Sequence, residues 1–172
     1  VPCEVWIEAG TVHSPSLSIT NNAALTIRGG FAGTETTLDE RQPGALTIFD
    51  GETTSTTVLK IESGTDDDIV LDRLNIRRAR GNGFIRSGKG GLKVTDCVIE
   101  ANGREVGTVY GRGMNVQSDG YGSLVVSNCV FAGNRCTATD TQYGGFGLYV
   151  KSFKDAVVDN SLFVTNGYDR SE

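Results

Sequence analysis

Apolar residues recur at every second position along most of this chain, break at a single polar residue, and resume two apart. The pattern is clearest in three segments that align without gaps: residues 92–103 (LKVTDCVIEANG), 124–135 (LVVSNCVFAGNR) and 156–167 (AVVDNSLFVTNG), each starting 32 residues after the one before. A weaker copy, residues 69–80 (IVLDRLNIRRAR), starts 23 residues before the first. Down the columns stand Ile69, Leu92, Leu124 and Ala156, then Leu71, Val94, Val126 and Val158, then Leu74, Cys97, Cys129 and Ser161, and then Ile76, Ile99, Phe131 and Phe163. A last column reads Ala79, Asn102, Asn134, Asn166. A period of two belongs to a strand. The break, at Asp72, Asp96, Asn128 and Asn160, is a polar residue that turns a chain readily. Each copy therefore predicts strand, sharp bend, strand, with one face always buried.

A repeat of about two dozen residues built this way is one coil of a parallel β-solenoid, in which equivalent residues stack into ladders at a rung spacing of ~4.8 Å. The expected fold class is all-β, with about six or seven coils in one domain over residues 1–172. The longer spacing adds roughly nine residues per coil, placed at 104–110 and 136–143, each followed by a Tyr-Gly segment. Insertions at one corner project from one face, the expected place for function. The N-terminal half is less regular: residues 24–30 (ALTIRGG) recur as 45–51 (ALTIFDG), Leu17/Ile19 and Leu59/Ile61 are further alternating pairs, and residues 31–44 predict a projecting loop.

Composition narrows the function classes. Sixteen basic against 21 acidic residues give a net charge of −5, so phosphate neutralisation is unavailable and nucleic acid is not an expected partner. No apolar run approaches the ~20 residues that span a bilayer. Cys3, Cys97, Cys129 and Cys136 are too few for a disulfide scaffold and lack paired zinc spacing. The chain opens at Val1 without a leader-like segment, which reads as a mature product or a piece of a longer secreted chain.

The segments EVWIEAGTV (4–12) and IRGGFAGTETTLDERQPGALTIFDG (27–51), followed by coils carrying NCVFAGN, resemble bacterial right-handed parallel β-helix repeat proteins. That family has the pectin-lyase-like fold and polymorphic-outer-membrane-protein-type repeats. The resemblance implies a right-handed helix of three-faced coils at the cell surface or in the medium, and little about activity.

Candidate chemistry is sparse. Asn102, Asn134 and Asn166 predict an asparagine ladder satisfying the bends. Cys97 and Cys129 share an interior column, which fits either a disulfide or two small buried thiols, the latter preferred. Asp66, Asp67 and Asp68 are weak candidates for Ca²⁺, the one cofactor entertained, because neighbouring side chains of an extended loop diverge. Arg77, Arg78, Arg80 and Arg86 are the sharpest enzymatic hint, since an arginine serves as base in solenoid polysaccharide lyases; Arg77 and Arg78 are expected on different faces, with Glu62, Asp68 and Asp72 as ion partners. His13, the single histidine, reads as an exposed loop residue. Tyr110, Tyr121, Tyr143, Phe146 and Tyr149 are the candidate ligand surface. The leading expectation is a non-catalytic surface module presenting loops for adhesion, glycan contact or self-assembly, its partners being other copies, adjacent coils of a longer chain, glycans or cell-surface components. A polysaccharide lyase or hydrolase acting on acidic polysaccharide is the alternative.

Overall fold

The computed structural model describes residues 1–13, 15–103, 112–136 and 146–168. The chain is all-β: nearly every strand is short, rich in Val, Ile, Leu and Thr, and ended by a turn, and among the described residues one three-residue 3-10 turn (Leu38–Glu40) is the helical element. Among the described residues no helix is long and apolar enough to cross a membrane.

Among the described residues, three parallel sheets take all but two of the strands. The first holds β1 (Cys3–Glu8), β4 (Leu25–Phe31), β7 (Ile69–Asp72), β10 (Leu92–Thr95), β13 (Ser123–Ser127) and β17 (Asp155–Asp159), hydrogen-bonded in that order. The second holds β2 (Gly10–His13), β5 (Thr47–Asp50), β8 (Leu74–Arg77), β11 (Val98–Glu100), β14 (Val130–Ala132) and β18 (Leu162–Val164). The third holds β3 (Leu17–Asn21), β6 (Thr57–Ser63), β9 (Asn82–Gly88), β12 (Met114–Gln117) and β16 (Leu148–Lys151). The two-residue strands β15 (Arg135–Cys136) and β19 (Gly167–Tyr168) pair with each other. The chain visits the three sheets in the same order again and again, so each strand pairs with its equivalent one winding away.

Register turns the sequence columns into physical ladders. Leu92 stands between Ile69 and Leu124, and Val94 between Leu71 and Val126. Ile99 stands between Ile76 and Phe131, and Phe131 stacks on Phe163 with ring centroids 4.6 Å apart. These side chains fill one continuous core between the sheets, from Leu25 and Phe49 through Leu71, Ile76 and Phe84 to Val126 and Phe131.

Two details of the winding are not visible in the repeats. ALTIRGG and ALTIFDG are not successive rungs: the first forms β4 in the first sheet and the second forms β5 in the second. The same local word is reused on two faces because the excursion between them resets the count. The bend of the weak copy is Arg73, not Asp72; Arg73, Asp96, Asn128 and Asn160 form a column of left-handed residues with φ of 54°, 53°, 55° and 43°. A second such column, Arg78, Ala101, Gly133 and Thr165, closes the strands of the second sheet. Non-glycine residues there cost about 1 kcal/mol each. Ladder contacts offset this, as where Asn160 Nδ2 donates to Asn128 Oδ1 at 2.7 Å.

Candidate functional site

The asparagines sit at the second bend and are built into the core. Asn102 Nδ2 donates to Ile76 O (3.1 Å) and Asn134 Oδ1 (2.9 Å), while its Oδ1 accepts from the Ala79 N–H (2.9 Å). Asn134 repeats this one rung on, donating to Ile99 O and to Asn166 Oδ1, each at 2.8 Å. Asn166 donates to Phe131 O at 2.7 Å. Asn102 and Asn134 are fully buried and Asn166 is half-buried, so the amides of the two inner rungs are spent inside the protein.

Cys97 and Cys129 occupy adjacent rungs as free thiols, donating at 3.2 Å to Thr95 O and Ser127 O respectively. Burial pushes the Cys97 thiol well above its ordinary value. Cys3 is exposed and free. The side chain of Cys136 lies outside the described residues.

The arginine cluster is dispersed. Arg77 and Arg78 converge on one carboxylate, that of fully buried Asp50: Arg77 Nε donates to Oδ2 (2.8 Å), and Arg78 donates to Oδ1 through Nε and to Oδ2 through Nη2, both at 2.6 Å. The expected divergence of the two side chains fails because Arg78 lies at the left-handed bend, which interrupts strand alternation. The expected partners are otherwise engaged, Asp72 binding Arg28 (2.9 Å) and Arg41 (3.0 Å), and Glu62 binding Lys60. Burial alone would raise Asp50; the Arg78 hydrogen bonds, the Glu52 N–H and Arg77 outweigh it and hold the carboxyl at about 2. His13, at the end of β2, is exposed and contacts Glu52 at 2.7 Å.

Arg86, grouped with Arg77, Arg78 and Arg80 in the sequence, is the residue whose burial pattern reading missed. It stands in the interior column Ile19, Ile61, Arg86, Val116, Val150 of the third sheet and is fully buried. Its guanidinium is held by backbone: Nη1 donates to Gln117 O (2.8 Å) and Gly88 O (3.1 Å), and Nη2 to Gly90 O (2.7 Å) and to Lys89 O. Burial draws its pKa down from the ordinary guanidinium value, and the charges of Asp119 and Asp68 oppose that. An alternation of two marks a side chain as inward. It cannot say that the turn beyond will offer carbonyls to an inward arginine.

Above those carbonyls lies a corner built from three stacked turns, those preceding β7, β10 and β13. Asp66, Asp67 and Asp68 belong to the first, and they do not converge. Asp68 Oδ1 accepts from the Gly91 N–H (3.0 Å), Asp67 Oδ2 from Thr65 Oγ1 (2.9 Å), and Asp66 lies 3.9 Å from Lys89 Nζ. Among the described residues no group of three or more His, Cys, Asp or Glu side chains is arranged to hold a metal ion.

The candidate aromatics fall in separate places. Tyr121 is 82% exposed at this corner. Tyr149 lies on β16 with the Arg112 guanidinium 3.9 Å over its ring, and Phe146 is half-buried just before that strand. Tyr110 and Tyr143, with residues 104–111 and 137–145, lie outside the described residues. Comparison with protein-family models, curated proteins and solved structures returns no match.

Proposed function

We propose that this chain is a non-catalytic module of a right-handed parallel β-helix, of the secreted or cell-surface bacterial kind that its sequence resembles. Its outermost strands take up a further coil supplied by a second copy of the chain. The right hand follows from the near-universal sense of crossovers between parallel strands of one sheet.

One observation carries the assembly reading: the apolar columns are open at both edges of the stack, and the two edges match. Val5, Val12 and Leu17 are 40–42% exposed on the β1, β2 and β3 side. Val158, Phe163 and Val150 are 37–46% exposed on the β17, β18 and β16 side. Val158 belongs to the column that begins at Val5, and Phe163 to the one that begins at Val12; in the third sheet Leu17 begins the column that ends at half-buried Leu148, and Val150 ends the one that begins at half-buried Ile19. Stacking one edge on the other would extend each of these columns with the same class of residue and pair strand edges that otherwise present open backbone groups. The contact would reproduce the rung-on-rung interface already used inside the chain.

Light scattering and electron microscopy across a concentration series test this. Rods that lengthen with concentration are expected, and Val158→Pro or Val158→Lys should abolish them while leaving the circular-dichroism spectrum that of a β protein. Monodisperse monomers at every concentration would assign the edges to further coils of a longer chain and refute stacking between copies.

A further inference from the structure

The corner over Arg86 has the makings of a binding site independent of the stack edges. Its floor is backbone. Gly122 lies against Gly90 so closely that a Cβ would run into the Gly90 carbonyl, and a Cβ on Gly91 would meet Ser123 O at 2.9 Å. Arg86 pins this floor from beneath through the carbonyls of Gly88, Lys89 and Gly90. Side chains from the three turns rise around it. Asp66, Lys89, Asp119 and Tyr121 line an open recess of about 430 Å³. A second recess of about 240 Å³ adjoins it, sharing Asp66 and Tyr121 and reaching Ser123.

Tyr121 is the telling member. The exposed rings of Trp6 and Phe163 each stack on a neighbour, Phe31 at 4.5 Å and Phe131 at 4.6 Å. Tyr121 is far more exposed, at 82%, and among the described residues no ring covers it. Its backbone is nevertheless fixed, the N–H donating to Asp119 Oδ1 at 3.4 Å, with Ser118 Oγ on the same oxygen at 3.3 Å. A presented aromatic face beside two carboxylates and an ammonium suits a ligand with one apolar face and a rim of hydroxyls. A metal ion is disfavoured because Asp67 and Asp68 are turned to Thr65 and Gly91. An anion would meet the carboxylates of Asp66 and Asp119.

We infer that this corner binds an uncharged saccharide. The sugar face lies on Tyr121, its hydroxyls donate to Asp66 and Asp119, and Lys89 donates to a sugar oxygen. The site uses the turns before β7, β10 and β13 and none of the outer strands, so it stands or falls separately from end-to-end assembly.

Amide chemical-shift mapping on the isotopically labelled chain tests it. The probes are uncharged gluco-, manno-, xylo- and N-acetylglucosamine oligosaccharides, with polygalacturonate and CaCl₂ as separate arms. At least one uncharged probe should shift the amides of Gly90, Asp119, Gly120 and Tyr121, with an affinity on the order of millimolar or tighter. Tyr121→Ala and Asp119→Asn should each weaken binding about tenfold, and Tyr121→Phe should largely retain it. The thermal midpoint of Tyr121→Ala should stay unchanged, because the ring is exposed. The site is refuted by no shift with any uncharged probe, by shifts with polygalacturonate or Ca²⁺ alone, or by full binding in Tyr121→Ala.

Discussion

The strands β10 and β11 and the strands β17 and β18 carry the same repeat, residue for residue in pattern, yet differ in exposure. Val94 and Ile99 are no more than 1% exposed, whereas their equivalents Val158 and Phe163 are 46% and 45% exposed. A winding of this protein is too thin to bury its own apolar face, and the windings on either side supply the burial. Stability is then a property of rung pairs more than of rungs, as in other stacked repeats. The outermost rung has one such partner and the inner rungs have two.

The aromatic pair gives the largest test of this contrast. Phe131→Ala should cost about 4 kcal/mol, as for a fully enclosed ring whose cavity cannot collapse. Phe163→Ala should cost about 1 kcal/mol, because half of its surface is already wet. Urea unfolding of both variants at low protein concentration measures the difference. If copies stack, the Phe163→Ala value should grow as concentration rises, and the Phe131→Ala value should not.

The asparagine column comes next. Asn134→Ala strands the Asn102 amide, the Ile99 carbonyl and Asn166 together, for a loss of roughly 3 kcal/mol. Asn166→Ala removes partners on one side only and should cost about half as much. Calorimetric midpoints would rank the two, and equal losses would contradict the one-sided environment of the outer rung.

The smallest effect concerns acid. Asp50 is held at about 2 when folded, below the ordinary carboxylate value of 3.8. The unfolded chain therefore takes up the proton first. The contribution, about 2 kcal/mol, is complete above pH ~4 and is lost as pH falls from ~4 to ~2. Asp50→Asn should flatten that part of the stability-against-pH curve at the cost of lower stability at neutral pH. An unchanged acid limb would mean that Arg77 and Arg78 contribute nothing through Asp50.

How far the sequence anticipated this molecule depends on turn length. From residue 92 onward the spacing is a constant 32, and the weaker copy 23 residues earlier shares its columns, so Ile69, Leu92, Leu124 and Ala156 could be aligned by eye and do stack. Before that, excursions of unequal length separate the strands, and the recurring ALTI words occupy different sheets. Local repetition reports a shared strand environment, and only constant coil length reports a shared face. Side chains at bends were the other blind spot. Arg78 could not be placed beside Arg77 on Asp50 without its left-handed backbone. Arg86 could not be recognised as buried because nothing local distinguishes an inward arginine from a misplaced outward one. Tyr121 was among the candidate aromatics, but the glycine floor beneath it depends on three turns that are distant in sequence.

The hydrogen bonds that join rung to rung all run along the axis of the stack, which has a mechanical consequence. A load applied along that axis meets the rungs in series, so the protein should yield by peeling one winding at a time from an edge. Equivalent residues are 32 positions apart in the later windings and 23 apart between Ala79 and Asn102. Each event should therefore release roughly 11 nm or roughly 8 nm of extended chain. Stretched singly, the molecule would act as a ratcheted tether, paying out slack in steps set by its turn lengths and keeping the unpeeled remainder stiff.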